Sequence, residues 1–484
     1  MIATPTLDFI PIAPELVLAS AAILGLLYEA FASRSNRTVH LMLGIAGLLG
    51  AAGWTLVLWN WNGGATVMGG MVAVDRFSVV SRILLLSIAA MGLVLGSHYF
   101  ARISGSDEHG EFVPLVLFAT VGMTLITAAA DLITVFLALE ILSLSLYVLT
   151  GITGRPGSNE AAMKYFLLGA FSSAFFLYGV AMAYGAANST NIVAIANALS
   201  GRTGSQALAL LAFGFLAVGF GFKVSAAPFH MWTPDVYQGA PTPVTAFMSA
   251  ATKAAAFFAL VRVLDVAFQP LVWDWTPVIW VVAALSIVVG SVLAIAQTDI
   301  KRMLAYSSVA HAGFILTGLT AANSVGIRAA MFYLIAYAAM TVGAFGIVML
   351  VSVRGEERTS LASYTGLFKT SPFLAALMTI FLLSLAGIPP TAGFIAKVNV
   401  FTAAISAGHW PLVLIGVLSS VAAAFFYLRV IVLMYMRDPE DMQAEDRSIL
   451  PRIAIAVPAV LTLAFGVFPG LIAGIIEKAS VLRW

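Results

Sequence analysis

The sequence predicts an all-α polytopic membrane protein, and three observations lead there. Of the 484 residues 61% are hydrophobic and only 10% charged, with a mean hydropathy of +1.00, far from the roughly 25% charged fraction of a soluble domain. Apolar segments of spanning length recur about fourteen times, joined by short turns rich in Gly, Pro and charge. Two of them are too long for one crossing and are interrupted near their middles by proline.

Composition also excludes several functions. A net charge of +2, with the basic residues spread thinly along the chain, gives no footprint for nucleic acid. With no cysteine there are no disulfides, thiolate metal sites or iron–sulfur ligands, so any redox chemistry must lie in a partner. The first residues, MIATPTLDFIPIAPELVL, have no basic stretch ahead of the apolar run and no small-residue cleavage site, and read as the first span rather than a cleaved signal.

The predicted spans cover 12–32, 40–60, 77–100, 112–129, 131–150, 161–186, 206–238, 242–266, 276–296, 301–320, 326–352, 371–407, 411–436 and 451–475. If the N-terminus lies outside, twelve basic residues fall in the loops on the inner side: Arg34, Arg37, Arg102, Arg155, Lys301, Arg302, Arg354, Arg358, Lys369, Arg437, Arg447 and Arg452. Only Arg76, Arg202, Arg328, Lys478 and Arg483 fall on the other side. Both termini are therefore expected outside the cytoplasm.

The seventh span is interrupted at Lys223-Val-Ser-Ala-Ala-Pro228 and the twelfth at Gly387-Ile-Pro-Pro-Thr391. Proline removes a backbone donor and clashes with the carbonyl four residues earlier, so each segment should form two half-helices. Broken helices at matching places in two halves of a chain point to an ion site and an inverted repeat. The breaks lie five spans apart, which predicts two inverted five-helix repeats, spans 4–8 and 9–13. The corresponding parts are 1–111, a three-helix N-terminal part, 112–266 and 267–436, the repeats, and 437–484, a C-terminal helix.

Charges inside these spans carry the chemistry. A lysine at bilayer depth costs roughly 2.5–3.5 kcal/mol on insertion scales, yet Lys223, Lys253 and Lys397 all lie within apolar segments. Glu140 stands near the middle of span five, with Ser143 and Tyr147 on its helical face, and needs a cationic partner. Lys253 continues a stripe of Thr245 and Ser249 at i, i+4, i+8, a stripe suited to holding water. His230, seven residues past Lys223, has the side chain whose ordinary pKa lies near neutrality. Span ten carries Tyr306, Ser307, Ser308 and His311, and span eleven carries Tyr333, Tyr337 and Thr341 on one face, a possible hydrogen-bonded file. Lys164, four residues past Glu160, either tunes Glu140 or lies near the cytoplasmic interface.

Each has a bland alternative. Glu140 and Lys223 can form a structural ion pair, Lys253 and Lys397 can snorkel or pack helices, and His230 can bond a carbonyl freed by Pro228. The tyrosines and His311 can simply bind helices together. Arg262 and Asp265, three apart, read as an interfacial pair, Arg429 as a snorkelling residue, and the loop Arg354 to Arg358 as a solvated connection or a subunit contact.

The run from Lys223 to Tyr237, the loop Gly239-Ala-Pro-Thr-Pro243, the stretch Gln297 to Ser308 and Gly387-Ile-Pro-Pro-Thr-Ala-Gly-Phe394 resemble the antiporter-like membrane subunits of respiratory NADH:quinone oxidoreductase, complex I. The resemblance covers nearly the whole chain. Among those subunits the chain is most similar to subunit N, the counterpart of mitochondrial subunit two: it ends soon after span fourteen, and a lysine, Lys397, follows the second break. The resemblance implies a bacterial inner membrane protein with no cofactor of its own. It implies FMN, iron–sulfur clusters and quinone in partner subunits, and neighbours that include subunits M, J and K. It further implies that Glu140 pairs with Lys223 and that protons move along a chain of buried polar residues halfway through the membrane; the residues read above for that relay are Glu140, Lys223, Lys253, Lys397, His230 and Lys164, with His311, Tyr306, Tyr333 and Tyr337 as further members. A subunit of a multisubunit sodium/proton antiporter looks similar around both breaks, and a structural membrane arm that moves no ion is the third reading.

Overall fold

In the computed structural model the described residues are 8–32, 36–61, 65–103, 109–201, 203–352, 357–439 and 448–482. Arg34, Arg202, Arg354, Arg447 and Arg483, which enter the expected sidedness, lie outside them, as does the side chain of Arg102.

The helices follow the hydropathy closely. Three form an N-terminal group: α1 (Ala13–Phe31), α2 (Arg37–Val57) and α3 (Arg76–Ile103), with a two-residue hairpin, β1 (Thr66–Val67) and β2 (Val72–Ala73), ahead of α3. Then come α4 (Phe112–Ala128), α5 (Leu132–Gly151), α6 (Pro156–Ala187), the short α7 (Ile192–Ser200), α8 (Gln206–Lys223), α9 (Trp232–Gly239) and α10 (Thr242–Arg262). The second stretch comprises α11 (Val272–Ile295), α12 (Ile300–Leu319), α13 (Ser324–Val351), the one-turn α14 (Leu367–Thr370), α15 (Pro372–Ala386), α16 (Ala392–Ser406) and α17 (Trp410–Met436). The chain closes with α18 (Ile449–Val467) and α19 (Gly470–Ala479).

Among the described residues eleven helical segments are long and apolar enough to cross a membrane. With α4, α12 and the pair α15–α16 they account for the crossings that the sequence predicts. Helix α12 is too polar to qualify by composition alone, because it carries Lys301, Arg302, Tyr306, Ser307, Ser308 and His311, and neighbouring helices bury all of it except Arg302 and Tyr306. The amphipathic α7 has no counterpart among the predicted spans.

Local sequence fixes the helix starts. Asp131 accepts from the Ile133 and Thr134 amides at the head of α5, Asp299 from Arg302 at α12, and Asn323 from Val325 and Gly326 at α13. Each short side chain satisfies amides that the first helical turn leaves open.

Every residue of α10 is buried and nearly all of α13 is, so these two form the centre. A helix buried all round must be apolar or small all round, and α10 is rich in alanine. Packing repeats along the chain: α4 lies on α5, α5 on α6, α6 on α8, and α10 on α4 and α5. Likewise α11 lies on α12, α12 on α13, α13 on α15, and α17 on α11 and α12. Glycine permits the equivalent first contacts: a Cβ at Gly122 would stand 2.6 Å from the Ala138 carbonyl, and one at Gly290 2.4 Å from the Ala310 amide.

Two sequence expectations, for Arg262 and Arg429, are corrected here, and of the charged loop only Glu357 and Arg358 lie among the described residues. Arg262 does not pair with Asp265: its guanidinium holds Asp75 through two bonds of 2.9 and 3.0 Å and the Thr127 carbonyl at 3.2 Å. The chain beyond Arg262 is a π-turn, Val263–Ala267, so the i, i+3 register that would align the two residues is lost. Arg429 does not snorkel: it donates to the Ile295 and Gln297 carbonyls at 3.1 and 2.6 Å, where the end of α11 leaves acceptors open. Glu357, in the charged loop, folds back on its own chain, accepting from the Thr242 amide at 2.8 Å and from Lys301 at 2.7 Å. Burial pushes the Glu357 carboxyl up, but the Lys301 ammonium and the Thr242 amide outweigh it and hold it below the ordinary carboxylate range.

Candidate functional site

The two helix breaks build lysine sites. At the first, α8 ends on Lys223, Ser225 takes a left-handed φ of 61°, and α9 restarts at Trp232. The freed backbone groups find side chains: Trp232 Nε1 donates to the Phe222 carbonyl at 2.9 Å, and the Ala227 amide donates to Ser286 Oγ at 2.8 Å. Membrane depth makes this accounting obligatory, since no bulk water is there to pair them. At the second, Gly387 closes α15 with φ +85° and the Ile388 amide returns to the Leu383 carbonyl. The Ala386 carbonyl accepts from Lys397 Nζ at 2.8 Å. The negative end of the α15 dipole thus faces the ammonium.

The three buried lysines share one environment. Lys223 Nζ donates to Ser143 Oγ at 2.8 Å and lies over the rings of Tyr147, Tyr165 and Phe222, 5.5 to 5.8 Å from their centroids. Lys253 Nζ donates to the hydroxyl and carbonyl of Ser308 and lies 5.4 Å from the centroid of Tyr337. Lys397 Nζ reaches Ser420 Oγ at 3.2 Å and lies 4.8 Å from the Phe314 centroid. Each has a serine hydroxyl and an aromatic face, and among the described residues none has a carboxylate within ion-pairing distance. Such a setting suits both protonation states. An ammonium donates to the serine oxygen and faces the ring quadrupole, whereas a neutral amine accepts from the serine O–H.

Glu140 is half-buried and is not in contact with Lys223. Its carboxylate accepts from Ser173 Oγ on α6. Ser143 and Tyr147, predicted on its face of the helix, both lie against Lys223, and Tyr165 Oη has no hydrogen-bond partner among the described residues. The flanking residues Leu137, Leu144 and Val148 are all exposed, so Glu140 opens toward the outer face of α5.

A hydrogen-bonded group stands between Lys253 and Lys397. His311 Nδ1 pairs with Tyr333 Oη at 2.7 Å and Nε2 with Tyr427 Oη at 3.4 Å, and Tyr427 Oη also bonds Ser307 Oγ. Tyr337 lies against both His311, at 5.2 Å between centroids, and Lys253. All of these are buried. Sequence reasoning reached His311, Tyr333 and Tyr337 but missed Tyr427, Ser173 and Ser420. The only signal was a polar residue in an otherwise apolar span.

Three predicted residues lie elsewhere. Lys164 is 42% exposed and is held by Glu160 at 2.8 Å and Asp235 at 2.9 Å, in a surface cluster with Arg302. Tyr306 is half-buried beside His230, 6.5 Å between centroids, outside the His311 group. His230 is half-buried, and Trp232 rather than His230 bonds the Phe222 carbonyl. Thr245 and Ser249 donate to the Tyr237 and Ala246 carbonyls, so the stripe leading to Lys253 is closed on backbone acceptors.

Comparison with known proteins matches residues 129–423 to the family described as NADH:quinone oxidoreductase/Mrp antiporter, TM. The chain is 44% identical to NADH-quinone oxidoreductase subunit N of Rhodococcus opacus, over 99% of this chain and 96% of that relative. It is 42% identical to the subunit N of Trichlorobacter lovleyi, over 99% and 98%. A chain of respiratory complex I from Thermus thermophilus superposes with a TM-score of 0.81 at 36% identity, over 96% of this chain and 99% of that one. A chain of the Mrp complex from a Dietzia species shares the fold, with a TM-score of 0.85 at 22% identity, over 98% and 97%.

Proposed function

Since the chain belongs to the NADH-quinone oxidoreductase subunit N family, antiporter-like membrane subunits of complex I, we propose that it moves protons through the line Glu140, Lys223, Lys253, His311 and Lys397. The observation that carries this reading is the common setting of the three lysines, buried with a hydroxyl and a ring in place of a carboxylate. A structural lysine at this depth would be neutralised by an acid, because an unpaired buried charge is costly. A lysine that must gain and lose a proton is better served by a partner that accepts from the ammonium and donates to the amine.

In this mechanism Glu140 sets the charge next to Lys223. With Glu140 ionised and close, Lys223 holds its proton; when Glu140 is neutralised or drawn toward the α5 face, the proton passes on. Ser308 offers Lys253 a hydroxyl adjoining Ser307, and Ser307, Tyr427, His311 and Tyr333 form the connection toward Lys397. His230 and Lys164 belong to approaches from the surface rather than to the central line. Quinone reduction in other subunits supplies the energy, and a neighbouring membrane subunit of complex I covers the α5 face, where Glu140 would otherwise meet lipid. Subunits M, J and K are the partners that this reading expects. The twelve-to-five distribution of basic residues supports a bacterial inner membrane location with both termini periplasmic. The parallel packing of α4–α10 and α11–α17 supports two repeats, 112–266 and 267–436, with 1–111 and 437–484 as flanking parts.

The test is proton pumping by membrane vesicles whose intact complex carries Lys223→Ala. Coupled pumping is expected to fall while the amount of assembled complex stays normal. Unchanged pumping would remove Lys223 from the path.

A further inference from the structure

We propose that the groove between α3, α13 and α18 binds one anionic phospholipid, its headgroup among Arg76, Arg328 and Lys478. The groove has a volume of about 430 Å³ and its walls are apolar, including Trp59, Ile83, Met91, Leu461 and Ile475. On α3 it extends from Val79 to Met91, about 18 Å of helix. That length is close to one leaflet of a hydrocarbon core about 30 Å thick, so an acyl chain would lie along the groove at its natural depth.

Charge selects the headgroup. The sequence reading expects only five basic residues on the cation-poor side of the membrane, and three of them, Arg76, Arg328 and Lys478, lie on the helices that wall the groove or pack beside it. Arg76 opens α3 and lies 5.2 Å over the ring of Trp59, itself a wall residue. Arg328 stands two turns before the wall residue Ile335 on the same face of α13, and Lys478 one turn beyond Ile475 on α19. Helix α19 packs on both α3 and α13, which brings the three together. One acid, Glu477, is nearby, 3.6 Å from Arg328 on the exposed surface, and leaves a positive excess. Cations are depleted from this side unless something recruits them, and a phosphate above an apolar groove is a ligand that uses both features.

The experiment uses the purified, delipidated complex, with phosphatidylglycerol or phosphatidylcholine added back and bound lipid counted by mass spectrometry. The complex should keep one phosphatidylglycerol that phosphatidylcholine does not replace. In Arg76→Gln/Arg328→Gln/Lys478→Gln the preference should fall about 100-fold, from about 1 kcal/mol per basic residue. Ser87→Trp, which fills the groove from its exposed wall, should lose the lipid with the cations intact. In the otherwise unaltered complex, a photoreactive amino acid at Ile83 should label lipid. Unchanged phosphatidylglycerol retention in both variants, or labelling of a polypeptide from Ile83, would overturn the proposal.

Discussion

Lys223 Nζ donates to Ser143 Oγ at 2.8 Å, while Glu140, one turn earlier on α5, accepts from Ser173 on another helix. The acid and the base that sequence reasoning pairs are each held by a different serine. A direct ion pair would hold the proton on the lysine; a pair held apart in this way leaves the coupling adjustable by a small movement of α5.

Ser143→Ala removes the acceptor of a buried ammonium and leaves space behind. A hydrogen bond to a charged group contributes about 1.5–3 kcal/mol, so proton-coupled turnover should fall about tenfold or more, with assembly preserved. Oxidation rate and pumping in vesicles measure it. Ser143→Thr, which keeps a hydroxyl, should recover most of the loss.

Tyr427→Phe keeps the ring and deletes the bond from Ser307 to His311. Loss of one neutral hydrogen bond costs about 1 kcal/mol, so the complex should assemble normally. Pumping per electron should decline several-fold if the group is in the path, and should not change if Tyr427 only ties α17 to α12.

Arg262→Ala should be the most damaging substitution for stability. It leaves the Asp75 carboxylate buried without its arginine, and breaking a buried pair from one side costs about 3–5 kcal/mol. The yield of intact complex should drop sharply. The double variant Arg262→Met/Asp75→Leu should recover part of it, since neither charge is then left alone.

Glu357 links the loop after α13 to the heads of α10 and α12. Its carboxyl is held below its ordinary pKa of 4.5, so its contribution is complete above that value and is lost as pH falls through the lower, folded-state pKa. Thermal stability of the purified complex should therefore decline on acidification below 4.5. Glu357→Gln should be less stable at neutral pH and lose less on acidification.

The residues that sequence alone reveals are those whose presence breaks a rule. Glu140, Lys223, Lys253 and Lys397 are legible because charge in an apolar span demands a reason, and the two breaks because glycine and proline interrupt a span. Arg262 and Asp75 are not legible as a pair: 187 positions separate them, and the i, i+3 rule points to Asp265 instead. Tyr427 is hidden because one tyrosine among Ala, Phe and Leu reads as packing. His230 looks central by spacing, yet beside the turn at Pro228 it is half-buried, and Lys164, which the sequence leaves between tuning Glu140 and the interface, is held at the surface by Glu160 and Asp235. Periodicity describes one helix at a time, and the line of lysines is assembled from five.

The central claim rests on Lys253, on the fully buried α10, where among the described residues no carboxylate lies within ion-pairing distance. Protons pumped per electron in membranes carrying Lys253→Ala, with intact complex quantified alongside, test it most directly. The relay predicts lost pumping with normal assembly; normal pumping per electron would contradict it and leave the lysine a structural residue.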